Sequence, residues 1–126
     1  MLIGGSVSSY RVYEIEPCSK PRMTQRDKWK KRPAVAKYWQ YRDVVKLNKV
    51  CVPLGGAHVE FHISMPKSWS RKKREESNGK PHQQRPDCDN LLKALLDAVY
   101  DEDCQVWDVR VTKYWAYSGK TIIKGE

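Results

Sequence analysis

The sequence predicts a small α/β (α+β) domain: a mixed β-sheet with two main helices, residues 1–126 forming one unit. Three observations carry that expectation. AHVEFHISM, residues 57–65, alternates apolar and polar side chains over nine positions, the period of a strand with one buried face. Residues 34–48 and the stretch after Asp89 repeat their apolar residues at helical spacing instead. Strand and helix periods also interleave along the chain, in the order β, α, β, long loop, α, β, β, which suits helices packed on a sheet.

The first element is SYRVYEIE, residues 9–16, whose aromatic and β-branched residues favour a strand. A basic loop, 17–33, follows, with Trp29 set among its cations. Pro33 suits a first helical turn, where a missing N–H is harmless. Ala34, Tyr38, Tyr41 and Val45 then mark one face of an amphipathic helix over 34–48.

In the strand 57–65, Ala57, Val59, Phe61, Ile63 and Met65 share the apolar side. His58 and His62 fall on the polar side, which points to solvent or DNA in preference to metal. Residues 66–84 show no period and include the run Arg71, Lys72, Lys73, Arg74. They read as a flexible arm able to close on a polyanion, or as a solvated tether. Pro86 then biases Arg85 to extended backbone, and Asp89 is a suitable N-cap. Leu91, Leu92, Leu95, Leu96 and Val99 give the second helix its apolar face, and the helix ends near Tyr100. Trp107, Val109, Val111 and Trp115 alternate along a strand near 105–116. YSGK, 117–120, is a turn signal, after which TIIK, 121–124, is expected to pair back as a hairpin.

Composition narrows the function. With 24 Lys and Arg against 15 Asp and Glu, the net charge of +9 suits a polyanionic partner, nucleic acid first. No apolar run reaches membrane-spanning length, and the N-terminal residues lack the pattern of a signal peptide. Cys18, Cys51, Cys88 and Cys104 show no C-x-x-C spacing and are read as reduced thiols of a cytoplasmic protein.

Against that basic background, Asp87 and Asp89 stand two residues apart where extended chain becomes helix, and Asp101, Glu102 and Asp103 follow the helix. Carboxylates so gathered are the ligands that a hard divalent cation such as magnesium prefers. The cation also removes the repulsion that bare carboxylates would exert on DNA. Lys93 lies one turn from Asp89, able to stabilise charge developing on a phosphate or to orient water. A plainer reading stays open: Asp89 as a cap, Lys93 and Asp97 as a surface pair, residues 101–103 as a solvated turn. Eleven helical residues span roughly 16 Å, so Asp103 meets Asp89 only if the next strand runs back or a second subunit supplies it.

The string RPDCDNLLKALLDAVYDEDCQV resembles the signature of RusA-like Holliday junction resolvases, D-x-D-N-L-x-K-x-x-x-D followed by an acidic pair and Q-V. KPRMTQRDKW and HISMPKSWS stand in the corresponding order, so the resemblance covers most of the chain, 85–113 being its specific part. It implies a homodimeric nuclease of phage or prophage origin in a bacterial cytoplasm. That enzyme would require Mg2+ (Mn2+ as substitute) and no small-molecule cofactor, and would cut four-way DNA junctions during recombination and repair. By position it implies Asp87, Asp89 and Asp103 as metal-binding acids, Lys93 as the catalytic lysine, and Asp97 as a supporting acid. The acidic pair here is Glu102–Asp103, with Asp101 additional.

Lys20, Arg22, Lys28, Lys30, Lys31 and Arg32, with residues 71–74, are the expected phosphate contacts. The competing expectations are a non-catalytic nucleic-acid-binding module and a nuclease acting on flaps or forks. Changing Lys30→Ala together with Lys31→Ala should weaken binding to every junction sequence and flatten its salt dependence; a binding titration against salt with an unchanged slope would remove that segment from the interface.

Overall fold

The computed structural model describes residues 9–21, 33–100 and 103–125. The elements run β1 Ser9–Tyr13, α1 Pro33–Leu47, β2 Ala57–Ser64, α2 Arg71–Ser77, α3 Cys88–Val99, a 3-10 turn Asp103–Gln105, β3 Val109–Ala116 and β4 Lys120–Gly125. The four strands make one mixed sheet in the order β1-β4-β2-β3. β2 and β3 are parallel, Ala57 opposite Val109 and Ser64 opposite Ala116. β4 is antiparallel to both β1 and β2. The expected mixed α+β sheet is therefore present.

Several boundaries and one pairing differ from expectation. β1 stops at Tyr13, not 16, because the Ile15 N–H turns back onto the Tyr13 carbonyl at 2.8 Å. β3 begins at Val109, after the 3-10 turn. No β3–β4 hairpin forms: β4 sits between β1 and β2, so residues 117–119 cross over the end of β2. Four Cα–Cα steps of about 3.8 Å suffice for two strand spacings of about 4.8 Å. In its central place β4 gains partners on both edges; its Ile123 joins the core, and its buried Thr121 donates to the Ile15 carbonyl at 3.2 Å.

The core lies between one face of the sheet and two helices. Val59, Phe61 and Ile123 meet Leu91, Ala94, Leu95 and Ala98 of α3 and Tyr38, Tyr41 and Val45 of α1. Val35, not Ala34, opens the buried face of α1. In α3 the small Ala94 and Ala98 are fully buried with Leu91 and Leu95, while Leu92 and Val99 only border the core. The opposite sheet face leaves Tyr10 and Val12 exposed. There the Glu60 carboxylate, paired with Lys124 and 3.0 Å from His62 Nε2, is buried, and His58 Nε2 is 2.8 Å from the Thr112 hydroxyl.

Residues 66–84, expected as a flexible arm or a solvated tether, contain a short helix and an edge-pairing segment. Ser70 caps α2 by accepting from the Lys73 N–H at 3.2 Å. The chain then runs along the outer edge of β3, with Gly79 N–H to the Trp115 carbonyl at 2.8 Å, Trp115 N–H to Lys80 at 2.9 Å and His82 N–H to Lys113 at 3.0 Å. Edge groups that would otherwise stand unpaired are thereby covered. The basic run of 71–74 consequently lies on a helix, with Lys73 over the Trp69 ring at 4.1 Å and Arg74 over Tyr117 at 5.6 Å. Among the described residues no helix is long and apolar enough to cross a membrane.

His82 is 4% exposed, against the Trp115 ring at 4.1 Å. Burial first, then the Lys113 charge, lower its pKa from the usual histidine value. The unfolded chain thus takes up the proton first as pH falls through about 6.5, so His82 withdraws stability below that value and down to its own lower pKa. His82→Phe should show a shallower loss of stability between pH 7 and 5.5 in urea denaturation than the parent chain; equal slopes would refute the assignment.

Candidate carboxylate site at the start of helix α3

Asp87, not Asp89, is the N-cap of α3. Its backbone is extended (φ −72°, ψ 151°), and its carbonyl accepts the first helical bond from Leu91 N–H at 3.1 Å. The Asp87 side chain makes no capping hydrogen bond. Its carboxylate is exposed at the positive end of the helix dipole, where anions are favoured. Asp89 follows in the first turn, also exposed. The apolar face fixes this outward aim: Leu91 and Leu95 are at most 1% exposed against the sheet, so the other side of α3 must meet solvent.

Lys93 is exposed and has no ion pair among the described residues. Asp97, one turn further, is paired with Lys20 at 2.5 Å. That hydrogen bond is the main reason the Lys20 ammonium holds its proton above the ordinary lysine pKa. Lys20 also lies 6.0 Å from the Tyr38 ring centroid. It thus anchors the chain entering the basic segment to both α1 and α3. Arg22, Lys28, Lys30, Lys31 and Arg32 lie outside the described residues, as do Trp29, Asp101, Glu102 and the side chain of Asp103.

The backbone of Asp103 opens the 3-10 turn between the far end of α3 and β3. The following strand does run back along α3, but Asp103 precedes it. What returns to the helix start is Lys113, whose ammonium donates to the Gln84 and Pro86 carbonyls at 2.7 Å each. These two bonds hold the turn that leads into Asp87. The sequence carried a signal for this residue: Lys113 interrupts the apolar series Val109, Val111, Trp115 on the helix-facing side of β3. Among the described residues, no three acids, histidines or cysteines converge to hold a metal.

A groove passes Asp87. A cavity of about 370 Å³ is lined by Ser19, Arg85, Pro86, Asp87 and Asn90. Through Ser19 and Pro86 it adjoins another of about 490 Å³ that includes Cys18, Lys37 and Ile63. The residues fit a hard cation: the exposed Asp87 carboxylate makes no capping bond and lines a space with room for water and phosphate oxygens, and Asp89 is exposed in the first turn of the helix.

The fold is thus a mixed sheet with α1 and α3 on one face and a groove that carries acids beside cations. The family model described as Endodeoxyribonuclease RusA matches residues 14–124, and the chain belongs to that family of endodeoxyribonucleases. No curated protein matches the chain.

Lys113→Met keeps the side chain's length but leaves two carbonyls without their donor. It should cost about 1–3 kcal/mol, read by urea denaturation, with Lys113→Arg recovering part; an unaltered midpoint would show that the turn stands without it.

Proposed function

We propose that the protein is a magnesium-dependent, structure-selective endodeoxyribonuclease that resolves four-way (Holliday) DNA junctions. Family membership supports the reaction class. The observation that carries the metal reading is the Asp87 carboxylate, which occupies the α3 N-cap without capping it.

Asp87 and Asp89 are the residues that would hold the cation. When bound, it would neutralise phosphate charge and make water more acidic. Lys93, on the exposed side of α3 one turn from Asp89, offers a further positive charge to the phosphate in the transition state. Lys113 keeps the turn before Asp87 fixed, so the carboxylates need not reorganise as DNA arrives. Hydrolysis adds water across the phosphodiester and leaves 5′-phosphate and 3′-hydroxyl ends.

α3 places about 18 Å between its two ends. A homodimer closes that gap if each copy presents Asp103 to the other's site. Two-fold symmetry would then match that of the junction and supply two sites for paired cuts. The cations of 22–32 and of α2 would hold the phosphate backbone without reading sequence. This activity belongs in a bacterial cytoplasm, with a phage or prophage as source.

Labelled four-way junction, flap and linear duplex, each incubated with and without magnesium, test the reading. Junction cleavage that needs magnesium supports it. A preference for flaps moves the substrate, and binding without any cleavage returns the protein to a non-catalytic module. Asp89→Asn should lower junction cleavage by at least about 10²-fold while leaving junction binding in chelator intact; retained magnesium-dependent cutting would exclude Asp89 from the site.

A further inference from the structure

Next to the carboxylate groove, a second cavity of about 500 Å³ opens where β2 ends and β3 leaves the sheet. Its size lies within the range of about 300–1,000 Å³ found for small-ligand sites. Lys67, Arg74 and Arg85 line it, and among the described residues no carboxylate does. Trp115 and His82, 8% and 4% exposed, form its base. Trp115 lies between the Trp69 ring at 4.7 Å and the His82 ring at 4.1 Å.

Tyr117 is the accessible ring of the set, 50% exposed, with the Arg74 guanidinium 5.6 Å from its centroid. Arg85 lines this cavity and also the one that contains Asp87. The two spaces are therefore neighbours across a single cationic side chain.

Aromatic surface and three cations, with no acid among the described lining residues, together call for a ligand that is both planar and anionic. A nucleotide unit has both parts. A paired base in a duplex cannot offer its face to a protein ring, whereas an unstacked one can. We propose that this cavity seats one unstacked nucleotide of the bound DNA strand, its base against Tyr117 and its phosphate between Arg85 and Lys67. The proposal rests on the reading of the protein as one that acts on branched DNA. It adds where the strand beside the cleaved bond goes. Crossover positions of a junction are where bases are least constrained by stacking, so the seat favours branched over linear DNA.

The test uses four-way junctions carrying 2-aminopurine at each position flanking the crossover in turn, bound by the full chain in chelator. In the parent protein the emission should change at one position on binding. Tyr117→Leu should abolish that change and weaken junction binding roughly tenfold, while Tyr117→Phe keeps both. Arg85→Ala, which leaves the ring packing untouched, should reduce the emission change at the same position.

The proposal fails if no position responds in the parent chain, or if Tyr117→Leu responds as the parent does. Free dAMP, titrated without DNA, separates a strand seat from a site for free nucleotides: binding as tight as that of the junction would overturn the strand seat. Cleavage is scored separately with magnesium. An emission change without cleavage upholds the seat and sinks the nuclease reading; cleavage without an emission change does the reverse.

Discussion

The parallel pairing of β2 with β3 is the constraint on which the site depends. Parallel neighbours cannot be joined by a tight turn, so the chain must travel from the end of one strand back to the start of the next, usually through a helix. Here α3 makes that return. Its first turn therefore lies towards the end of β2, and its last towards the start of β3. The carboxylates of Asp87 and Asp89 are at the first turn, so the topology itself delivers them to the strand ends, where open sheets most often bind ligands. Packing of Leu91 and Leu95 on Phe61 and Val59 then sets the roll of the helix, leaving Asp89, Lys93 and Asp97 on its outer side.

Two charged contacts refine this placement, and they differ in kind. Lys113 reaches from β3 to backbone oxygens just ahead of Asp87, so its effect is on where the chain enters the helix. Asp97 and Lys20 are partly exposed, and such pairs usually contribute little to stability. Their consequence is positional: the segment rich in cations begins where α1 and α3 meet, on the helix that bears the acids.

Much of this was legible from residue order. The periodicity of 57–65 located β2 within one residue, because one face is apolar and the other polar throughout. The leucines of α3 located its buried face. What was missed turns on partners distant in sequence. The Asp89 N-cap expectation failed because helix boundaries depend on backbone angles that Asp87 satisfies equally well in composition. A hairpin at YSGK was a sound local inference, but pairing to β1 and β2 gives β4 two ladders instead of one. The polar stretch 66–84 hid a short capped helix and an edge-pairing segment whose bonds are all backbone, invisible to side-chain periodicity. Lys113 was visible as a break in an apolar series, yet nothing local names its partners.

The central position of β4 has a consequence for biosynthesis. β1 emerges from the ribosome more than one hundred residues before β4, which is its partner in the sheet. Until then β1 must wait unpaired, and β2 lacks a neighbour on one edge. The sheet therefore closes late, after translation has reached the last strand, so nascent chains carry the acidic and basic elements together well before those elements are locked in place.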